Sequence, residues 1–337
     1  MKKQWYFICI LLGIFSCNET AYNENKSSKP ITNQHTSIPD NSITNLYDAF
    51  GKNNDELIKD FGFSALIKYK GKLILFDSGT NADILKNNAE ALGIDLSKVD
   101  FAVGSHAHGD HINGFDYLLS VNPKVKIYLP FDFFMGSPIK FNIAGKEEDI
   151  KDSLPVEMRY FDGEKTSIRL VQSGRFWNAN IEYIDKNTRI NPDIQLVYTK
   201  SPYLGYCSKY PSKEHKHQTD NNDIKYNGLP ELSLSLSTKD GEVLIVGCSH
   251  SSVQNIIKET KTISNNEIAL LAGGYHMLPY DREELKKVAL QLKQDFQVKQ
   301  IAPTHCTGHL AFKLLQEEYG EDYLFAGLGE NIFFEAK

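Results

Sequence analysis

The sequence predicts an α/β protein in which two mixed sheets pack face to face, with helices flanking both outer surfaces (an αββα sandwich). The first observation is alternation. A strand-like run over 72–76 is followed by a helical pattern over 81–92 and by another apolar run over 98–104. The second is repetition, because the C-terminal part again combines strand-like runs with flanking helical patterns. Helices layered on sheets bury the apolar faces of both kinds of element.

The N-terminal half begins with a predicted strand pair, 63–69 and 72–76, which turns at Lys70-Gly71. Apolar residues at helical spacing predict a helix over 81–92, and Gly93 ends it. The next predicted elements are a strand over 98–104, a helix over 115–120 and a strand over 125–129.

The C-terminal half contains a second predicted hairpin, 232–237 with 242–246, which turns at Asp240-Gly241. We expect Pro230 to precede this hairpin, because proline cannot donate to a strand ladder. Asp281 is the predicted N-cap of an amphipathic helix. The remaining predictions are helices over 251–259 and 309–319, strands over 268–272 and 300–302, and an edge strand over 332–334.

The N-terminus has the features of a secretory signal. Lys2 and Lys3 precede an apolar run over 5–15 that is too short for a comfortable membrane span. The following Ile14-Phe15-Ser16-Cys17 resembles a bacterial lipobox. We predict a lipoprotein-type signal peptide over 1–17, with a lipid anchor on Cys17 in the bacterial cell envelope. The alternative is an ordinary secretory signal with an incidental cysteine.

The rest of the chain divides into a tether and one large domain. Residues 18–42 are polar and contain two prolines, which predicts a flexible linker. Residues 43–337 form the domain, with a long insertion around 131–228. Two short strands are predicted inside the insertion, over 168–171 and 195–198. His215 and His217 have a ligand-like spacing, but their Lys-rich surroundings favour a solvated loop.

Charge and cysteine content narrow the function classes. The net charge is −6 and no basic stripe is visible, so we expect no nucleic-acid partner. After the signal, Cys207, Cys248 and Cys306 remain, and this odd number without a CxxC pair does not indicate a disulfide framework. Cys248 and Cys306 each lie close to a candidate metal-binding histidine.

The segment 105–111 concentrates three histidines and one aspartate directly after an apolar strand-like run. Alternate side chains of an extended segment point the same way, so His106 and His108 can share one ion. Asp110 and His111 fall past the bend and can face a second ion. Imidazole and carboxylate together suit zinc. The alternative is a histidine-rich surface loop.

Further candidate ligands also follow predicted strands. They are Cys248 and His250 after the strand 242–246, His276 after 268–272 and His305 after 300–302. A rigid sheet presents the side chains at its strand ends to a common cleft. Four separate strands therefore point to one site.

These motifs resemble those of the metallo-β-lactamase-fold hydrolases. His106 to His111 match the HxHxDH signature, and the upstream Phe76-Asp77-Ser78-Gly79 matches as well. Gly247-Cys248-Ser249-His250 and the segment 303–308 resemble the branch related to the dihydropterin-type ribofuranosylaminobenzene-phosphate synthase. The resemblance runs from about residue 46 to the C-terminus, with a poorly matched middle, and it implies the αββα sandwich.

The resemblance also implies a metal-ligand set. Five positions match directly: His106, His108, Asp110, His111 and His305. The middle departs from the family pattern, because Gly247-Cys248 stands where Gly-Asp is usual and the preceding strand carries no histidine. We therefore predict that His250 takes the place of the missing histidine. Cys248 is then either a soft ligand of the second metal or a close neighbour of it.

Asp77 receives a role by the same resemblance. Asp77 matches the aspartate beneath the metals, where it would orient a ligand histidine through the other ring nitrogen. The alternative is a turn aspartate. His276 is a candidate either for a hydrogen bond that orients a ligand or for proton donation to the leaving group, and a packing role is the alternative.

These residues together predict a secreted, membrane-anchored, metal-dependent hydrolase with two zinc ions per chain, and with iron or manganese as alternatives. A metal-bound hydroxide would attack a small ester, lactone or phosphodiester, while Asp110 steers a proton to the leaving group. A pterin-related synthase or phosphate-processing enzyme is the alternative within the branch. A non-catalytic, metal-containing binding lipoprotein is the alternative from another class. The substrate and the oligomeric state stay open.

Overall fold

The structure is a computed structural model that describes residues 41–131, 139–170, 179–201 and 229–336. The predicted signal peptide, its lipid-modified Cys17 and nearly all of the predicted linker lie outside these residues. The loop with His215 and His217 also lies outside them. None of the helices in the described part has both the length and the apolar composition needed to cross a bilayer.

The first sheet has seven strands in the order β15-β1-β2-β3-β4-β5-β8. The strands from β15 to β3 run antiparallel to their neighbours, whereas β3, β4, β5 and β8 run parallel, so the sheet is mixed. The bounds are β1 (Ser42–Tyr47), β2 (Ser64–Tyr69), β3 (Lys72–Phe76), β4 (Phe101–Val103), β5 (Lys126–Pro130), β8 (Asn180–Ile184) and β15 (Asn331–Phe333).

The second sheet has six strands in the order β14-β13-β12-β11-β10-β9. It is also mixed, because β9 to β12 pair antiparallel and β12 to β14 pair parallel. The bounds are β9 (Thr188–Asn191), β10 (Ile194–Ser201), β11 (Leu229–Ser237), β12 (Glu242–Val246), β13 (Ile268–Gly274) and β14 (Gln300–Thr304). The strands β6 (Ile139–Asn142) and β7 (Ser167–Leu170) form a separate two-stranded antiparallel sheet.

The part of the chain that the structure describes contains six α-helices. They are α1 (Ala82–Ala91), α2 (Gly109–Ile112), α3 (Phe115–Val121), α4 (Val253–Ile263), α5 (Arg282–Leu290) and α6 (His309–Tyr319). The side chain of Asn81 caps α1, and Asp281 forms a capping box with Glu284 at the start of α5. The capping at Asp281 is as predicted.

Three apolar layers hold these elements together. The central layer lies between the sheets and joins residues such as Ile67 and Ile74 of the first sheet to Leu234 and Ile245 of the second. The two outer layers pack α1 and α3 against the first sheet, and α4, α5 and α6 against the second. Burial of apolar side chains on both faces of each sheet stabilises this arrangement. The predicted αββα sandwich is confirmed.

Several elements differ from the sequence-based expectations. The sequence analysis predicts no strand over 42–47, yet β1 begins at Ser42. A strand forms there because pairing with β2 and β15 buries its polar side chains. The expectation that Pro230 precedes the strand is wrong, since β11 begins at Leu229. Pro230 pairs only with β10, whereas β12 joins β11 from Leu234 onwards. A proline is tolerated there because one side of the strand needs no N–H donor.

Candidate metal centre

The predicted ligands lie on loops at the C-terminal ends of four strands. β4 leads into the loop with His106 and His108, and then into the short α2 with Asp110 and His111. The loops after β12, β13 and β14 carry Cys248 with His250, His276, and His305, respectively. β4 belongs to the first sheet and the other three strands to the second. The site therefore forms where the ends of the two sheets meet.

One cluster consists of three histidines. The Nε2 of His106 lies 2.9 Å from Nδ1 of His108 and 3.2 Å from Nε2 of His250. The three donor nitrogens all lie within 4.8 Å of one another. Three neutral imidazoles at this separation make a suitable set for one zinc ion. The structure thus places His250 beside the HxH pair, where the sequence analysis placed it.

The second cluster combines four donors of three kinds. The Nε2 of His111 lies 3.0 Å from Sγ of Cys248 and 3.2 Å from Nε2 of His305. Oδ2 of Asp110 lies 3.3 Å from Nε2 of His305. All four donor atoms lie within 4.8 Å of one another. The thiol of Cys248 is thus a member of the cluster, in the position of a soft ligand.

The two clusters are adjacent, and His276 lies beside both. Donor atoms of Cys248, His250 and His276 fall within 4.8 Å of one another, which connects a residue of each cluster. The rings of His250 and His276 have centroids 4.5 Å apart. His276 has a left-handed backbone with φ of 49°, an uncommon conformation for a side chain of this size. The backbone thus holds His276 at the centre in a strained conformation.

Burial and close charges shift the pKa values of these groups. Burial lowers the pKa of His106 well below its usual range, and the positive charges of neighbouring histidines would lower it further. Burial acts to raise the pKa of Asp110, but His111 and His305 more than compensate, so the net shift is downward. The residues therefore offer a neutral imidazole and an ionised carboxylate, the forms in which each binds a metal.

Asp77 fixes the ring tautomers of two histidines. Its Oδ2 accepts from Nδ1 of His111 at 2.6 Å and from Oγ of Ser105 at 2.7 Å. Oγ of Ser105 in turn lies 2.8 Å from Nδ1 of His106. With both Nδ1 atoms donating, the Nε2 atoms of His106 and His111 keep their lone pairs directed into the clusters. Asp77 is completely buried beneath them.

The donor set fits a pair of cations. Nε2 of His106 faces Nε2 of His250, and Nε2 of His111 faces Nε2 of His305, so lone pairs converge on each other. Oδ1 of Asp110 is buried and has no hydrogen-bond partner among the described residues. Buried polar atoms are normally satisfied. A positive ion in each cluster would satisfy the converging nitrogen atoms, and the thiolate of Cys248 would favour zinc or iron over magnesium.

Two buried carboxylates beside the clusters have no counterpart in the sequence analysis. Glu231 accepts from the backbone of His250, and Asp48 accepts from the backbone of His305. Burial raises the pKa of both carboxyls, that of Asp48 to about 7, although hydrogen bonds oppose the effect. One sequence signal could have identified Glu231, because it is a charged residue at the start of a strand of alternating leucine and serine.

Comparisons with known proteins agree with the fold and with this site. The metallo-β-lactamase superfamily model matches residues 57–172, which include the loop after β4. The structure of Tm1679, described as a metal-dependent hydrolase of the β-lactamase superfamily, superimposes with a TM-score of 0.64 at 22% identity. The similarity covers 88% of this chain and 99% of that one.

A protein of Methanocaldococcus jannaschii is similar over most of the chain. It is named 7,8-dihydropterin-6-methyl-4-(beta-D-ribofuranosyl)-aminobenzene-5'-phosphate synthase and is 27% identical over 306 residues, or 87% of this chain and 96% of that protein. This chain has the metallo-β-lactamase fold. Uncharacterized protein MJ0448 of the same organism is 29% identical to this chain over 260 residues, 76% of this chain and 87% of that protein.

The described part of this fold thus contains a buried candidate metal centre to which seven side chains contribute. They are His106, His108, Asp110, His111, Cys248, His250 and His305. Their assignment as ligands remains a prediction, and so does the metal. Six of the seven side chains are buried, and only His108 is partly exposed.

Proposed function

We propose that this protein is a hydrolase that uses two zinc ions to cleave a small ester, lactone or phosphodiester. The observation that carries the proposal is the pair of adjacent donor clusters, one of three histidines and one of aspartate, two histidines and cysteine. The superfamily and the site together support a metal-dependent enzyme. The proposal goes beyond a metal-dependent enzyme by naming zinc as the metal and by naming the class of substrate.

Two bound ions would supply Lewis-acid polarisation of the substrate oxygen and would bring the pKa of a water molecule down to about 7. The tri-histidine cluster would hold one ion and the mixed cluster the other. The Nδ1–H of His111 donates to Asp77, and this hydrogen bond fixes both the orientation and the tautomer of the imidazole. The protein thus provides rigid donors that need no reorganisation during turnover.

Asp110 and His276 are the groups that we assign to proton transfer. Oδ2 of Asp110 faces His305, whereas Oδ1 has no hydrogen-bond partner among the described residues and can accept a proton from a nucleophilic water. His276 lies beside Cys248 and His250, at the boundary of the clusters, where a leaving group would depart. A proton carried on this imidazole can pass to that group.

A second candidate function comes from the relative in Methanocaldococcus jannaschii. The alignment with that named synthase covers 87% of this chain, so a pterin-related or phosphate-processing reaction is the alternative. The relative is only 27% identical, which leaves room for a different substrate. A non-catalytic, metal-containing binding lipoprotein is the third reading.

Metal removal tests the proposed function directly. We expect a chelator to lower the hydrolysis of an activated ester, a lactone or bis(4-nitrophenyl) phosphate by at least about 100-fold, because the metals supply the nucleophile and the charge stabilisation. Adding two equivalents of zinc should restore the rate, and elemental analysis should find two ions per chain. Hydrolysis that survives complete metal removal would contradict the proposal. Full metal loading without turnover of any panel substrate would favour the synthase or the binding protein.

We also propose that a lipid on Cys17 anchors the protein to the bacterial cell envelope. The proposal rests on the sequence Ile14-Phe15-Ser16-Cys17 after a short apolar run. Three acyl chains hold a protein on a bilayer far more firmly than one chain. We expect the wild-type chain expressed in bacteria to partition into detergent, and Cys17→Ser to partition into the aqueous phase. An unchanged partition in the variant would rule out the lipid anchor.

A further inference from the structure

Three of the loops that carry the candidate ligands share one feature, a buried carboxylate that accepts a hydrogen bond from the loop backbone. Each loop leaves the end of a strand and therefore carries buried backbone N–H groups that no ladder can satisfy. In three loops a buried carboxylate accepts such an N–H group. Asp77 accepts from Ser105 in the loop after β4, Glu231 from His250 after β12, and Asp48 from His305 after β14.

We propose that Glu231 and Asp48 are positioning residues, each of which sets the geometry of a different metal cluster. Glu231 would control the tri-histidine cluster through His250, and Asp48 would control the mixed cluster through His305. The inference rests on the proposed dinuclear site and deepens it. It assigns to each cluster one carboxylate that holds a ligand loop in place. Neither carboxylate is a member of a donor cluster.

Glu231 joins the two loops of the tri-histidine cluster. Its Oε1 accepts from the backbone N–H of His250 and its Oε2 from that of Ser251, both at 2.7 Å. The next residue, Leu232, donates its N–H to the carbonyl of Ser105 at 2.8 Å. One short piece of β11 therefore ties the loop with His106 and His108 to the loop with His250. Glu231 is 2% exposed and cannot swing away into solvent.

Asp48 has the corresponding relation to the mixed cluster. Its Oδ2 accepts from the backbone N–H of His305 at 3.1 Å and from Nδ2 of Asn45 at 3.0 Å. Its Oδ1 accepts from the N–H of Ala49 at 2.8 Å. The side chain is completely buried, and two neighbours fix both oxygens. Asp48 thus fixes the position of His305 relative to the end of β1, which belongs to the other sheet.

Cys248 and His250 share a loop, but separate contacts hold the two ends of that loop. The carbonyl of Gly247 accepts from the N–H of Gly274, and Oγ of Ser249 donates to the carbonyl of Gly274. These bonds pin Cys248 to β13 on both sides. Loss of the Glu231 contacts should therefore release His250 and leave Cys248 in the mixed cluster.

The choice of a carboxyl group at these positions has an electrostatic reason, since bound cations would favour its ionised form. A buried carboxylate is costly, and neutral hydroxyl or carbonyl oxygens could accept the same N–H groups. Carboxylates become favourable when cations bind a few ångströms away, because the charges then attract through a poorly screened interior. The two residues therefore suit loops that carry metal ligands.

Site-resolved metal binding tests the proposal. Glu231→Gln and Asp48→Asn keep the side-chain shape but place an amide NH2 against a backbone N–H. Cobalt(II) replaces zinc as the probe, because only the cluster with Cys248 can give a thiolate-to-cobalt absorption band. We expect Glu231→Gln to weaken cobalt binding at the tri-histidine cluster about 10- to 100-fold, while the thiolate band is kept. Asp48→Asn should weaken the band-forming site by a similar factor and spare the other.

Glu242→Gln is the matched control. Glu242 is also a completely buried carboxylate of the second sheet, but it lies at the start of β12 and accepts from Ser235 and Ser237. This variant should lose stability without a change in either cobalt site. If Glu231→Gln or Asp48→Asn does not fold, Glu231→Asp and Asp48→Glu keep the charge, change the reach, and should show the same site selectivity.

The possible outcomes separate this proposal from the proposed function. Equal weakening of both sites in each variant, or effects no larger than those of Glu242→Gln, would overturn the positioning roles. A wild-type protein that binds no cobalt in either cluster would overturn them as well. Selective loss as expected, in a protein that hydrolyses nothing, would support the positioning roles and refute the hydrolase.

Discussion

Asp110→Asn should lower kcat by about 10³-fold on whichever substrate the native protein turns over. The amide keeps the shape of the side chain but carries no charge. It therefore binds a cation weakly in the mixed cluster and accepts no proton at Oδ1, the atom that has no hydrogen-bond partner among the described residues. Both effects act at the reacting centre, so we expect kcat and kcat/KM to fall together.

The measurement combines kinetics with metal content. Elemental analysis of Asp110→Asn, reconstituted with excess zinc, separates a lost ion from a lost proton acceptor. Asp83→Asn is the control, because Asp83 lies exposed in the first turn of α1 and should leave kcat unchanged. An Asp110→Asn variant that retains more than about a tenth of the native kcat would exclude Asp110 from the catalytic machinery.

Asp77→Ala should destabilise the fold by about 3–5 kcal/mol, whether or not metal is present. Three buried donors lose their acceptor: the N–H and Oγ–H groups of Ser105 and the Nδ1–H group of His111. Each unsatisfied buried donor costs about 1–3 kcal/mol. Asp77 also has a φ of 57°, and alanine accepts this left-handed conformation less readily than aspartate.

Denaturant unfolding of the metal-free chain measures this loss without a contribution from metal binding. Asp100→Ala is the matched control, since Asp100 likewise accepts from a backbone N–H and from a side chain, those of Leu73 and Lys72. Asp100 is exposed, so its removal should cost less than about 1 kcal/mol. If the two variants lose the same free energy of unfolding, the burial of Asp77 does not add to its contribution to stability.

The local parts of this structure are the parts that the sequence predicts well. The helix after Asp281 begins where its capping residue stands, because a capping box involves residues only three positions apart. The HxHxDH segment is predictable for the same reason, since strand, turn and helix within six residues determine where its side chains point. The grouping of His250 with His106 and His108 required the family resemblance as well.

The positioning carboxylates were not predicted because their contacts join distant parts of the chain. Asp48 and His305 are 257 positions apart, and no local pattern connects the end of β1 with the loop after β14. Strand β1 was missed for a related reason. Its serine, threonine and asparagine side chains give the segment no continuous apolar pattern, and pairing with β2 and β15 buries them. Tertiary context decides such segments.

The pairing of β1 with β15 has a consequence for folding. Ser42 and Phe333 are register partners, so the edge of the first sheet closes only after nearly the whole domain has been synthesised. Because long loops must close before such contacts give any stabilisation, the folding rate should be slow. The side chains of the two donor clusters come from equally distant segments, as His111 and His305 of the mixed cluster do. Each cluster is therefore complete only when these distant segments have folded together.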